Sequence, residues 1–88
     1  MANIKVSVKA FPVFKDFVDV SLEEGSTLSD LVDYMSRMYD EFRENYLDDN
    51  GSLDVDVVVM VNNKPVRDMS LVLSDGDKVY FIPPVAGG

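Results

Sequence analysis

Cysteine and histidine are both missing from this chain. Without cysteine there is no disulfide, no thiolate metal site and no cysteine nucleophile. Without histidine the commonest general base and metal ligand is gone. Cationic residues are scarce: eight Lys and Arg stand against sixteen Asp and Glu, for a formal net charge of −8. That charge repels phosphate backbones and favours basic protein partners, so nucleic acid is not an expected ligand. No apolar run is long enough to span a bilayer, and Met1-Ala2-Asn3-Ile4-Lys5 has no signal-peptide core. The expectation is a cytoplasmic protein with no membrane partner. Nucleotide loops of the G-x-x-x-x-G-K-[ST] and G-x-G-x-x-G types are also lacking, as is a catalytic dyad.

What is present reads as one α+β domain. At 88 residues it can bury roughly 60–65 % of its unfolded surface. Ile4, Val6, Val8 and Ala10 alternate with Lys5, Ser7 and Lys9, the period of a half-buried strand. Pro12 ends it, Phe11 to Asp16 form a turn, and Val18, Val20 and Leu22 give a second strand, making an N-terminal hairpin. Thr27 is positioned to N-cap a helix, with Asp30 completing a capping box. Leu28, Leu31, Val32, Met35, Tyr39 and Phe42 follow helical spacing along one predicted helix. Met35, Met38 and Tyr39 form a core stripe on this reading, not a ligand groove.

From Asp40 to Asp54 the chain is polar and acidic, which predicts a solvated loop anchored by Tyr46 and Leu47. Its carboxylates do not match the EF-hand calcium spacing. Val55 to Val61 is a nearly continuous apolar run and is predicted as a strand. Asn62-Asn63 makes a tight turn, because asparagine tolerates positive φ, and Lys64-Pro65-Val66 returns as a short edge piece. Met69, Leu71 and Leu73 are available to close the core. Asp75-Gly76-Asp77 is a turn, and Lys78 to Ile82 the last strand. One helix packed across one mixed sheet of four to five strands is the economical architecture.

The chain then ends in Pro83-Pro84-Val85-Ala86-Gly87-Gly88. The prolines stop the strand and stiffen its exit, whereas Gly87 and Gly88 reach conformations closed to other residues. A diglycine ending by itself points to fraying or an expression scar. Here the prolines set it off from a core strand, so it is expected to project from a fixed place. Such a stalk can thread a narrow channel and present its terminal carboxylate.

If Val57, Val59, Val61, Val79 and Phe81 face the helix, then Val58, Met60, Tyr80 and Ile82 face outward. One helix cannot cover both sides of a sheet. These four residues are expected to form an exposed apolar patch, a mark of a protein interface, unless the acidic segment folds over them.

The Val61-Asn62-Asn63 turn, the segment Leu73 to Val79, and above all Phe81-Ile82-Pro83-Pro84-Val85-Ala86-Gly87-Gly88 carry a resemblance. Over nearly its whole length the chain resembles the β-grasp, ubiquitin-like sulfur carriers of the MoaD/ThiS family. Its Asp40 to Asp54 insert, with Val66-Arg67, looks most like the archaeal branch that includes the small archaeal modifier proteins. Many MoaD proteins have two aromatics before the prolines, where this chain has Phe81-Ile82. Their first strand is often aromatic where this chain has Lys9.

The resemblance implies a β-grasp domain over residues 1–82 and a flexible tail over 83–88. It implies that an E1-like enzyme adenylates Gly88 with ATP, and that a persulfide and a reductant then leave a thiocarboxylate. Pro83, Pro84, Val85, Ala86 and Gly87 would thread the tail. No cofactor is expected on the chain itself, ATP being used by the activating partner. The primary reading is sulfur donation as the small subunit of molybdopterin synthase, with the large subunit as partner. The protein is then a co-substrate or accessory subunit, not an enzyme. The alternative is a ubiquitin-like modifier whose adenylate is attacked by lysines of target proteins. A third reading is an interaction module that uses the apolar patch, with an inert tail.

Overall fold

The computed structural model describes residues 2–11 and 13–84. Its elements run β1 (Asn3–Ala10), β2 (Val18–Glu23), α1 (Leu28–Met38), α2 (Asp40–Tyr46), β3 (Val58–Val61), β4 (Lys64–Val66) and β5 (Lys78–Ile82). The strands form one mixed sheet in the order β2-β1-β5-β3-β4. β5 lies in the middle, parallel to β1 and antiparallel to β3. The final strand of the chain is therefore the most interior one.

The predicted alternation holds in β1: Ile4, Val6, Val8 and Ala10 are buried, while Lys5, Ser7 and Lys9 are not. These residues meet Leu28, Leu31 and Met35 of α1 in a single core with Val59, Val61, Val79 and Phe81. Met38, three positions after Met35, instead lies 58 % exposed. Leu73 closes the core as expected, whereas Leu71 stays exposed and serves through its carbonyl.

Helix α1 begins with a complete capping box. Asp30 N–H donates to Thr27 Oγ1 at 3.2 Å, and Thr27 N–H donates to Asp30 Oδ2 at 2.9 Å. The N–H groups of Leu28 and Ser29 donate to the carbonyls of Leu71 and Met69, each at 2.9 Å. The first-turn donors that a helix leaves unpaired are thus matched by the connection before β5.

Three sequence expectations are corrected. The single helix is two: Tyr39 is extended at φ −134°, and the chain restarts as α2. Arg43 Nη1 donates to the Ser36 carbonyl at 2.6 Å, satisfying one acceptor left open where α1 stops. The Asp40 to Asp54 segment is accordingly not a solvated loop throughout. Phe42 and Tyr46 of α2 are fully buried, and Leu47 pairs with Leu53 in an isolated bridge. The Val55 to Val61 strand begins only at Val58. Asp54 accepts the N–H of Asp56 at 2.9 Å on its carboxylate and that of Val57 at 3.0 Å on its carbonyl. This Asx-type turn leaves Val55 88 % exposed.

The Asn62-Asn63 turn forms as expected, with φ of 51° and 70°. The Asn62 side chain also accepts from Lys78 N–H at 3.0 Å and donates to Asp77 at 2.8 Å, tying the hairpin to β5. Among the described residues no helix is long and apolar enough to cross a membrane.

Candidate functional site

The site is built from β5, because the tail follows directly from it. Val79 and Phe81 point into the core; Tyr80 is half-buried and Ile82 exposed on the opposite face. Antiparallel pairing sets Val58 opposite Ile82 and Met60 opposite Tyr80. The four predicted patch residues therefore form two adjacent cross-strand pairs. Pro65 of β4 lies beyond Met60, and Lys9 of β1 lies on the other side of Tyr80. The acidic segment does not fold over this face. Its anchors Phe42 and Tyr46 pack against Phe81, with ring centroids 5.2 and 6.0 Å away, on the core side.

Pro83 and Pro84 are half-buried at the sheet end. Having no N–H, they cannot extend either ladder of β5. Val85, Ala86, Gly87 and Gly88 lie outside the described residues, and so do the threading and activation roles expected of them.

Tyr46 helps to fix that sheet end. Its hydroxyl lies 2.5 Å from the Phe11 carbonyl and 3.1 Å from the Phe81 carbonyl, where the parallel pairing of β1 with β5 runs out. Continuing the register in which Ser7 N–H donates to the Asp77 carbonyl, the Phe11 carbonyl would need a donor from position 83, but that residue is a proline. A phenol from α2 supplies one instead. Burial pushes the Tyr46 hydroxyl up to a pKa of about 12, so the group stays a donor.

Three further contributors escaped sequence reading. Phe17, just before β2, meets Tyr80 edge to face at a centroid distance of 5.0 Å. Lys9 Nζ lies 5.7 Å from each of these rings, and Lys78 Nζ lies 5.6 Å from the Phe17 ring. A signal for Phe17 was present, since positions 17, 19 and 21 continue the outward set of the second strand. The meeting with Tyr80 was not readable, because it depends on β1 and β5 being neighbours across the chain.

A groove of about 450 Å³ also opens where residues 55–57 leave the end of the β3–β4 ladder. It is lined by Val55, Val57, Val66 and Met69, with Asp56 and Arg67 as its charged residues. Of the predicted site residues that the structure describes, it touches only Val58. No group of three or more metal-ligating side chains occurs among the described residues.

Comparison with known proteins adds the family. The ThiS family matches residues 9–88, a span that includes the diglycine. The molybdopterin synthase sulfur carrier subunit of Mycobacterium tuberculosis is 33 % identical, over 97 % of this chain and 99 % of that one. The crystal structure of small archaeal modifier protein 1 from Haloferax volcanii superposes with a TM-score of 0.81 at 20 % identity, covering 93 % of this chain and 99 % of that one. A complex of subunits 1 and 2 of the molybdopterin-converting factor from Helicobacter pylori contains a chain matched with a TM-score of 0.65 at 21 % identity, covering 97 % of this chain and all of that one. These two likenesses concern the fold, a ubiquitin-like β-grasp of five strands and two helices. Sequence, topology and the position of the tail after the central strand converge: this chain belongs to the ThiS family.

Proposed function

We propose that this protein is a sulfur carrier activated at Gly88 and that it donates sulfur as the small subunit of molybdopterin synthase. The observation that carries the reading is the 33 % identity, over nearly the full length of both chains, to a molybdopterin synthase sulfur carrier subunit. The two prolines that end β5, the middle strand of the sheet, support it, because they come directly before the diglycine segment in the sequence.

The chemistry begins with a carboxylate oxygen of Gly88 attacking the α-phosphorus of ATP and releasing pyrophosphate. The resulting acyl adenylate has AMP as leaving group. A persulfide sulfur on a partner attacks the acyl carbon, AMP departs, and a thiol reductant cleaves the acyl disulfide to leave the thiocarboxylate. Nucleotide, persulfide and catalytic groups belong to an E1-like partner; this chain contributes the acyl group and the surface that docks it. It acts as a co-substrate and accessory subunit. The large subunit of molybdopterin synthase then receives the tail, consistent with the two-subunit assembly named for the Helicobacter pylori protein.

The deciding experiment is mass spectrometry of the protein from its native cells and after incubation with its E1-like enzyme, ATP and a sulfur donor. The expected result is an exchange of one oxygen for sulfur, located at Gly88. Gly88 joined to lysines of other proteins, with no thiocarboxylate, would replace this reading with the modifier one. Neither product would leave a plain interaction module.

A further inference from the structure

The outer face of the sheet is divided by charge. Along the row through Tyr80, the residues are Lys9 on β1, Tyr80 on β5, Met60 on β3 and Pro65 on β4. The row is cationic at one end and apolar at the other. Lys9 and Lys78 each hold their ammonium group over the Phe17 ring, whose negative π-surface favours a cation there. Asp19 lies on the same face, but its carboxylate accepts from the Ser7 hydroxyl at 3.2 Å. The ion pairs among the described residues, Arg37–Asp33 and Arg43–Asp40, are both on the helical side and involve neither lysine. A chain of net charge −8 thus places two cations together beside its apolar patch, with no carboxylate paired to either among the described residues.

We infer that the enzyme which activates the tail presents carboxylates opposite Lys9 and Lys78, next to an apolar surface opposite Val58, Met60 and Ile82. The inference rests on the sulfur-carrier reading, since uptake of the tail is what brings an enzyme to this end of the sheet. It reverses, at this one face, the preference for basic partners that net charge alone suggests. Exposed charges further away than about 8–10 Å are largely screened at physiological salt, so the contacting lysines decide the local match. A long polyanion such as nucleic acid is still repelled by the whole chain, and only a protein supplies carboxylates and apolar surface side by side. The aromatic support matters as well: ammonium groups held over rings lose less side-chain freedom on docking than free ones.

The test is calorimetric titration of the full chain into its adenylating enzyme at several NaCl concentrations. It compares the wild type with Lys9→Glu, Lys78→Glu, the double variant, and Lys64→Glu as a control of equal charge change. Lys64 pairs with Val61 at the β3–β4 turn, away from the Tyr80 row. The double variant should bind at least about tenfold more weakly and with a shallower salt dependence, whereas Lys64→Glu should stay within about twofold. Lys64→Glu should also keep the wild-type maximal rate of ATP–pyrophosphate exchange, because it lies off the docking row. Thermal unfolding checks the fold. If charge reversal unfolds the domain, Lys9→Gln with Lys78→Gln replaces it and should weaken binding in the same direction. A double variant binding as the wild type does, or Lys64→Glu weakening binding equally, overturns the inference and leaves the sulfur-carrier reading intact. A wild-type chain that is never adenylated overturns both.

Discussion

The Tyr46 hydroxyl lies 3.1 Å from the Phe81 carbonyl oxygen, joining the second helix to the last strand two residues before the prolines. The same hydroxyl reaches the Phe11 carbonyl, so one phenol spans the ends of β1 and β5. Its ring is fully buried and stacks on Phe42 at a centroid distance of 4.8 Å. Tyr46→Phe keeps this packing and removes only the donor. The substitution should cost about 1–3 kcal/mol, the usual penalty for leaving a buried polar group unpaired. Thermal denaturation should show it as a lower Tm.

The same group predicts how stability depends on alkaline pH. Its folded pKa of about 12 lies above the ordinary value of 10.0, so the folded state holds the proton more tightly than the unfolded one. This contribution is complete below pH 10 and is lost as pH rises from about 10 towards about 12. Urea denaturation of wild type and Tyr46→Phe, repeated across that window, should show the stability gap closing. A gap that stays constant would mean that the hydroxyl ionises alike in both states.

Asn62 serves both as a turn residue and as a link between strands. It adopts φ of 51°, and its side chain bonds Lys78 and Asp77. Asn62→Gly keeps the turn and loses the link, whereas Asn62→Ala loses the link and strains the turn. Both should be destabilised, with Ala worse than Gly by on the order of 1 kcal/mol. Chemical denaturation of the three proteins gives the order directly.

Removing Gly88, or adding one residue after it, should abolish adenylation while the melting profile stays that of the wild type. Gly87→Val should slow activation through bulk and lost backbone freedom. ATP–pyrophosphate exchange measures both. An adenylated deletion variant would refute the proposed chemistry.

Tyr80→Asp and Met60→Asp place a carboxylate inside the apolar patch. Each should weaken partner binding by about tenfold or more with the fold retained, as expected for a central interface residue. Unchanged affinity would move the interface elsewhere.

Much of this architecture is legible in local pattern. Alternation identifies β1, β2 and β5, Thr27 with Asp30 marks the helix start, and Asn62-Asn63 marks the tight turn. The outward direction of Val58, Met60, Tyr80 and Ile82 follows from the same period. The break at Tyr39 was not legible, because Met35, Tyr39 and Phe42 keep helical spacing across it and no glycine or proline announces the stop. The helix in the acidic segment was hidden by its charge, since Phe42 and Tyr46 are its only buried residues. The late start of β3 was hidden too, because Val55 and Val57 look like strand residues until Asp54 takes their neighbouring amides. Tyr46, Lys9 and Phe17 gain their roles from contacts 35 or more residues away, or across neighbouring strands, which no local window contains.

The placement of β5 also governs how the molecule bears a pull. An edge strand can be peeled away one hydrogen bond at a time. A strand with neighbours on both sides cannot leave until both of its ladders give way. Tension applied at Pro84 runs along the axis of β5 and loads its bonds to β1 and β3 together, in shear. Under the proposed function, an enzyme that drew the tail into a channel would tug on a strand bonded along both edges, and the domain would resist as one body instead of unravelling from its end.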